Sequence, residues 1–168
     1  MSDAIIYRRA TPEELPAVVE LCMLVEEQHE QYWPLRWQRR EGLHEGYLGW
    51  LRRRLEEPKM FVGVAVDGTK TADGVVGMIL VTINEEIPIY TYREYALIQD
   101  MAVRPEYRRQ GIAQRLLAEA AAWAKGHGLN QLRRLVADQN PDARKAFAKA
   151  GFRPTYQEMV LPLEGRES

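Results

Sequence analysis

Residues 97–113 read LIQDMAVRPEYRRQGIA, and this stretch decides the fold. An apolar run passes through a polar turn into arginines and a glycine, after which a long helical pattern begins. The stretch therefore predicts a strand that turns sharply into a helix. The first amides of a helix lack intrahelical partners and lie at the positive end of its dipole, so this joint can bind an anion. Gly111 lets the backbone approach a ligand closely, and Arg108 and Arg109 carry charge that suits phosphate oxygens.

The same turn could instead be an ordinary arginine-rich surface turn, so its spacing has to be compared with known phosphate loops. The sequence contains neither G-x-x-x-x-G-K-[ST] nor G-x-G-x-x-G after a strand, which excludes the two commonest nucleotide-binding loops. What remains is R-x-x-G-x-A, from Arg108 to Ala113, directly after a predicted strand.

Composition limits the class of protein. The chain has 168 residues, of which 46% are hydrophobic, and this is enough for one domain spanning residues 1–168. The net charge of −1 gives no reason to expect a nucleic-acid partner. The single cysteine, Cys22, excludes an internal disulfide and a cysteine metal cluster. No stretch approaches the roughly 20 apolar residues that cross a bilayer, so we expect a soluble, cytoplasmic protein with no membrane partner.

Hydrophobic periodicity and turn residues place the other elements. Thr11, Pro12 and Glu14 form a predicted capping box, and the apolar stripe after them ends at His29, which is interpreted as a structural or rim histidine. Strands are expected at residues 4–7, 60–66, 75–83, 97–103, 132–137 and 156–161, with helices starting near residues 12, 43, 112 and 140. This order predicts one mixed α/β sheet with helices on both faces.

A second motif lies about thirty residues after the first. Asn140 and Ala143 are followed by Phe147 and then by Gly151-Phe152. Together the two motifs resemble the GNAT superfamily of N-acyltransferases, which carries [QR]-x-x-G-x-[GA] and N-x-x-A-x-x-x-[YF]-x-x-x-G-F. The resemblance is clear over residues 97–152. It implies a mostly antiparallel sheet of six to seven strands that is splayed between strands 4 and 5.

The resemblance also implies a co-substrate, acetyl-CoA, and no metal. Its pantetheine arm would lie in the splay, held by the backbone of Met101, Ala102 and Val103. The amides after Arg108 would hold the pyrophosphate, and residues of the later motif would lie near the arm. The implied binding residues are Met101, Ala102, Val103, Arg108, Arg109, Gln110, Gly111, Ile112, Ala113, Asn140, Ala143, Arg144 and Phe147. Asn140 could also act simply as a helix cap before Pro141.

The reaction implied is acyl transfer from a thioester to an amine. The amide of Met101 would stabilise charge on the thioester oxygen. An alkyl amine has a pKa of about 10.4, so a base or desolvation must help to deprotonate it. The candidate bases are Asp100, Glu94 and Glu30. Strict alternation places Asp100 on the opposite face of the strand from Gln99 and Met101, where it could instead bond neighbouring backbone.

At the position that protonates the leaving thiolate in many family members, this chain departs from the family pattern. Many GNAT enzymes carry a tyrosine where this chain has Phe147, which has no proton to donate. The thiolate could leave unassisted, since a thiol pKa of about 8.5 makes it a tolerable leaving group. Another tyrosine could substitute, and the candidates are Tyr156, Tyr90, Tyr92 and Tyr95.

Two functions remain open from the sequence. The first is an N-acetyltransferase that acts on a primary amine, with a small molecule such as an aminoglycoside, polyamine or amino acid favoured over a peptide or protein amine. The second is a non-catalytic acyl-CoA-binding sensor or interaction module, which Phe147 keeps open. The resemblance also implies that the chain could form a homodimer through the C-terminal strand or the second helix.

Overall fold

The structure is a computed structural model that describes residues 4–70 and 74–163. In that part of the chain, five strands form one sheet in the order β1-β2-β3-β4-β5. The strands are β1 (Ile5–Arg9), β2 (Met60–Asp67), β3 (Val75–Glu85), β4 (Glu94–Val103) and β5 (Leu132–Arg134). The helices are α1 (Leu15–Tyr32), α2 (Pro34–Trp37), α3 (Leu43–Arg54), α4 (Ile112–Gly126) and α5 (Pro141–Lys149). None of these helices has the length and apolar character needed to cross a membrane.

The pairing of the strands confirms the predicted mixed sheet. Neighbouring strands from β1 to β4 are all antiparallel. Short connections join β2 to β3 and β3 to β4, whereas α1, α2 and α3 lie between β1 and β2. The last pair, β4 and β5, is parallel and is connected through α4. A parallel pair requires such a crossover, which places α4 over one face of the sheet.

The core lies on both faces of the sheet. Val62 and Val64 of β2 pack with α1 and α3, whereas Phe61 and Ala65 of the same strand pack with α4 and α5. This alternation follows the two-residue period of a strand. A side chain at Gly77 of β3 would come within 3.1 Å of Ile112, the first residue of α4. The start of α4 is therefore packed closely against the sheet.

The expected final strand at residues 156–161 is absent from the described structure, which has five strands and not six to seven. The segment is irregular, and its Tyr156 and Met159 side chains are each 85% exposed. A strand needs a neighbour for its backbone groups, and β5 covers only Leu132–Arg134 of the expected 132–137. The segment contacts α2 instead, where Arg36 Nε lies 2.9 Å from Glu158 Oε2.

One side-chain cluster fastens the turn after β4 to the end of β2. The Tyr107 hydroxyl donates a 2.7 Å hydrogen bond to Asp67 Oδ2, and Thr69 donates from both its hydroxyl and its amide to Oδ1. These donors stabilise the ionised carboxylate. The hydrogen bonds from Thr69 and then Tyr107 lower the pKa of Asp67 to about 2.

We predict that Asp67→Asn lowers the melting temperature near neutral pH, because the amide retains the shape but loses the charge. The pKa of Asp67 is depressed on folding, so its contribution is present above the unfolded pKa of 3.8 and is lost as the pH falls toward about 2. Thermal unfolding of both proteins across this pH range measures the difference. Equal melting temperatures at neutral pH, or a gap that persists at the acid end, would contradict the assignment. Glu119→Gln is a matched control on α4, away from the turn.

Candidate active site

The turn between β4 and α4 has the backbone geometry of an anion site. Pro105–Tyr107 form one 3-10 turn, after which Arg109 has φ +62° and Gly111 has φ +82°. Gly111 immediately precedes α4 as its N-cap. Left-handed residues beside extended or helical ones turn successive amides toward one concave surface, and the helix dipole adds positive potential there. The residues from Arg108 to Gly111 are exposed, so this surface is open to a ligand.

The two arginines of the turn differ in their contacts. Arg108 Nε donates a 3.1 Å hydrogen bond to the carbonyl of Val103, the last residue of β4. That bond holds the Arg108 side chain against the strand end. Arg109 adopts the left-handed backbone conformation, which is unfavourable for residues other than glycine. Backbone strain of this kind is found most often at functional sites.

A slot opens between β4 and β5, along the part of β4 that leads into this turn. The two strands pair only from Ala96↔Leu132 to Ile98↔Arg134, although β4 continues to Val103. A cavity of about 100 Å³ lies where pairing stops. Its lining includes Val25, Gln28 and His29 of α1, Met101 of β4, Arg134 of β5, and Val136, Ala137, Asn140, Ala143, Ala146 and Phe147 from the segment that leads into and through α5.

The later motif contributes one wall of this cavity. Asn140 caps α5, since its Oδ1 accepts a 3.0 Å hydrogen bond from the Ala143 amide, and Pro141 is the first helical residue. The Asn140 side chain also lines the cavity, so the cap and the proposed ligand contact share one position. Phe147 is 6% exposed and packs edge-on against Phe152 with ring centroids 5.1 Å apart.

β4 contains a β-bulge just before Met101, the residue of this strand that lines the cavity. Leu80 of β3 lies opposite Asp100, but the next residue, Val81, lies opposite Ile98. Gln99 is therefore an extra residue in β4. A bulge of this kind bends the strand and changes the direction of the side chains around it.

The bulge corrects the expectation from strict alternation. Gln99 Nε2 donates a 2.8 Å hydrogen bond to Thr82 Oγ1, and Gln99 lines a cavity with Tyr47 of α3. The Tyr47 hydroxyl also donates to Asp100 Oδ2. Gln99 and Asp100 thus face the same helix, whereas Met101 packs with the opposite half of the core. Burial raises the pKa of Asp100, while the Tyr47 hydrogen bond and then Arg134 oppose that rise.

The other sequence-predicted acid–base candidates lie outside the slot. Glu94 is exposed and pairs with Lys59 at 2.8 Å. Glu30 pairs with Arg39 at 2.6 Å, and hydrogen bonds from that residue lower the pKa of Glu30. Tyr156 is 85% exposed, while Tyr90 and Tyr92 are 56% and 51% exposed. None of these five side chains lines the cavity between β4 and β5.

Two residues of α1 at or near the slot, His29 and Glu26, were not selected from the sequence as functional. His29 lines the cavity and stacks on Trp37 with ring centroids 5.4 Å apart. Burial, followed by the charges of Arg134 and Arg36, lowers the pKa of His29, so its imidazole is neutral near pH 7. Glu26 lies one turn earlier, and burial followed by the charge of Asp100 raises its pKa. Only the helical spacing of Glu26 and His29 on α1 could have indicated that they belong together.

A second, larger cavity of about 270 Å³ lies on the α3 side of the bulge. It is lined by Tyr47, Trp50 and Arg54 from α3 and by Thr82, Asn84 and Gln99 from the sheet. Aromatic rings thus face a floor of amide and hydroxyl groups. Across the described residues, no group of three or more His, Cys, Asp or Glu side chains is arranged to hold a metal ion.

The comparisons with known proteins agree with this geometry. Residues 19–152 match the model of the acetyltransferase (GNAT) family, so the chain belongs to the GNAT acetyltransferase family. A search of curated protein sequences gives no significant match.

Solved structures share the fold at low identity. A tetramutant of the BH1408 protein from Bacillus halodurans is 22% identical and superposes with a TM-score of 0.78 over 94% of this chain and 99% of its own. An aminoglycoside antibiotic 6'-N-acetyltransferase from Acinetobacter baumannii is 19% identical and superposes with a TM-score of 0.72 over 95% of this chain and 98% of its own. An aminoglycoside N-acetyltransferase solved in complex with CoA is 18% identical and superposes with a TM-score of 0.70 over 96% of this chain and 95% of its own.

We predict that Gly111→Ala weakens acetyl-CoA binding several-fold. A Cβ at this position would meet nothing within 4 Å, so the cost is the left-handed backbone, about 1–2 kcal/mol for a residue with a side chain. Relaxing that strain would turn the amides away from the pyrophosphate. Calorimetric titration with acetyl-CoA measures the effect.

Gly126→Ala is the matched control, because it also has open space around its Cβ but lies in the helical region at the end of α4. It should bind acetyl-CoA like the unaltered protein. Equal affinity in the two variants would show that the turn does not hold the ligand.

Proposed function

We propose that this protein is an acetyl-CoA-dependent N-acetyltransferase that moves the acetyl group from the thioester to a primary amine of a small molecule. The observation that carries the proposal is the slot between β4 and β5, because the part of β4 that β5 leaves unpaired leads directly into the left-handed turn at Arg109 and Gly111. Exposed amides lie at one end of this path and the half-buried Met101 lies at the other. A ligand with a pyrophosphate and an extended amide-bearing arm fits this arrangement.

The residues that we propose to bind acetyl-CoA fall along this path. Amides from Arg109 to Ala113 would hold the pyrophosphate at the start of α4. Backbone groups of Met101, Ala102 and Val103 would pair with the arm, because β5 leaves this edge of β4 unpaired in the described chain. Asn140, Ala143 and Phe147 supply the opposite wall.

For the base, the geometry favours His29 over the three carboxylates selected from the sequence. His29 shares a cavity with Met101, whose amide we propose as the donor to the thioester oxygen. A neutral imidazole can accept the proton of the attacking amine, either directly or through water. The stacking of His29 on Trp37 fixes the plane of the ring.

For the leaving thiolate, the slot offers no tyrosine among its lining residues. Phe147 lies in the wall at the position of the family's tyrosine and can exclude water without giving a proton. We therefore favour departure as the thiolate, which a thiol pKa of about 8.5 permits. The proton held by His29 can then pass to solvent or to the thiolate.

For the acceptor, we propose the cavity on the α3 side of the bulge, because Gln99, which lines it, lies on β4 two residues before Met101, which lines the slot. Its rings and its amide and hydroxyl groups suit a polar amine that carries its own hydrogen-bonding groups. Aminoglycosides are the first class to test, since solved neighbours of that name share the fold.

We predict release of free CoA from acetyl-CoA in the presence of one amine class from a panel of aminoglycosides, amino sugars, polyamines, amino acids and short peptides. A thiol reagent follows the product, and mass spectrometry identifies the acetylated acceptor. Binding of acetyl-CoA without turnover on any class would favour the second candidate, an acyl-CoA sensor, for which the absence of a tyrosine at Phe147 is the supporting observation. No binding at all would refute both functions.

We predict that His29→Gln lowers kcat about 100-fold or more at the pH optimum, as is typical for loss of a general base. The base works as the neutral imidazole, so the activity of the unaltered enzyme should fall as the pH decreases through a pKa below 6.5. That acid limb should disappear from the pH profile of the variant.

His127→Gln is the matched control, since His127 lies at the far end of α4 and contacts the Trp123 carbonyl. Its kcat and pH profile should be unchanged. An acid limb that persists in His29→Gln would assign the proton acceptor to another group, and Glu26 would be the next to test.

A further inference from the structure

Arg134 occupies the point at which the β4–β5 ladder stops. It is the last residue of β5 and lies opposite Ile98 in the parallel pairing. Its Nη1 donates a 3.1 Å hydrogen bond to the Ile98 carbonyl and a second hydrogen bond to the Gln99 carbonyl. A side chain thus bonds carbonyls that a longer β5 would otherwise have paired through its amides.

The bulge explains why one nitrogen reaches both carbonyls. In a regular strand, successive carbonyls point to opposite sides, so a single donor cannot serve two neighbours. Gln99 is the extra residue of the bulge, which brings its carbonyl to the same side as that of Ile98. Two carbonyl dipoles then converge beside the slot, and each needs a partner because the region is buried.

The guanidinium also belongs to a buried group of charges. Burial lowers the pKa of Arg134, and the nearby Asp100, Glu26 and Tyr47 oppose that effect, with Asp100 the strongest of the three. His29 faces the guanidinium from α1, and Arg36 adds positive charge from α2. Among the residues that the structure describes, Arg134 Nε is buried and has no hydrogen-bond partner. Arg134 also lines the cavity that contains Met101.

We propose that Arg134 is a positioning residue for acyl transfer, which holds the Ile98 and Gln99 carbonyls so that the Met101 amide can stabilise charge on the thioester oxygen. This inference rests on the proposed function. The Gln99 carbonyl lies two residues before Met101, and its negative end would oppose charge that develops on a nearby oxygen. Arg134 neutralises that dipole and fixes the bulge. Its effect should therefore appear in the reacting thioester more than in the affinity for acetyl-CoA.

The test compares Arg134→Ala with Arg133→Ala, its neighbour on β5. Successive strand residues point to opposite faces, and Arg133 pairs with Glu86 at 2.6 Å and stacks on Tyr95, away from the slot. The first measurement is the carbonyl stretch of bound acetyl-CoA labelled with ¹³C at the acetyl carbonyl, which requires no acceptor. A hydrogen bond to the thioester oxygen lowers that frequency.

We expect the unaltered protein and Arg133→Ala to lower the carbonyl frequency equally, and Arg134→Ala to return it toward the value of free acetyl-CoA. Once the acceptor is identified, kcat of Arg134→Ala should be about 100-fold lower than that of the unaltered protein, which is typical for loss of an oxyanion-site interaction. KM for acetyl-CoA should change little. Added guanidinium chloride should restore part of kcat in Arg134→Ala and none in Arg133→Ala. A merely structural arginine would give neither the frequency change nor the rescue.

The outcomes separate the two proposals. An unaltered protein that neither binds nor turns over acetyl-CoA would overturn the proposed function and this inference together. This inference alone would be overturned if the unaltered protein binds and turns over acetyl-CoA while Arg134→Ala shows the same carbonyl frequency and the same kcat as the unaltered protein. If Arg134→Ala does not fold, Arg134→Lys keeps the charge but has a shorter reach. A folded Arg134→Lys protein should then show an intermediate frequency and reduced kcat, and unchanged values would equally refute the role.

Discussion

The parallel pairing of β4 with β5 stops after Ile98, and the candidate site depends on that stop. If β5 had continued along β4, backbone hydrogen bonds would have filled the space in which Met101 and Asn140 now face each other. Unpaired backbone groups at a buried edge are costly, so something must satisfy them. In this protein Arg134 bonds the carbonyls of Ile98, the last paired residue, and of Gln99, the first residue past the stop. We propose that the pantetheine arm pairs with the residues beyond them.

The bulge at Gln99 and the stop in the ladder act together. The bulge turns Asp100 toward Tyr47 of α3 and leaves Met101 with the opposite half of the core. Buried carboxylates and arginines are stable only when they are paired or hydrogen-bonded. Asp100 accepts a hydrogen bond from Tyr47, and Arg134 donates to two backbone carbonyls. Glu26 of α1 adds a second negative charge near both groups. These side chains place charge of both signs close to the proposed reacting atoms.

Local signals predicted much of this architecture. The order of strands and helices, the mixed pairing and the cap at Asn140 all follow from periodicity and turn chemistry, which act over a few residues. The prediction of a strand at residues 156–161 was wrong, although the segment does contain a short apolar run, Met159 to Leu161. Pattern alone does not supply a neighbouring strand, and β5 is too short to offer one.

The sequence by itself determined the family, the glycine turn at Gly111 and the helix start at Asn140. These features need only particular residues at fixed short spacings, since φ preference and capping are properties of neighbouring residues. Only the tertiary structure decided which charged groups surround the slot. His29, Glu26, Asp100 and Arg134 lie on different elements, and their proximity and pKa shifts arise from packing between residues as far as about a hundred positions apart. The face of Asp100 was likewise decided by a bulge, because one extra residue reverses the alternation that the sequence pattern assumes.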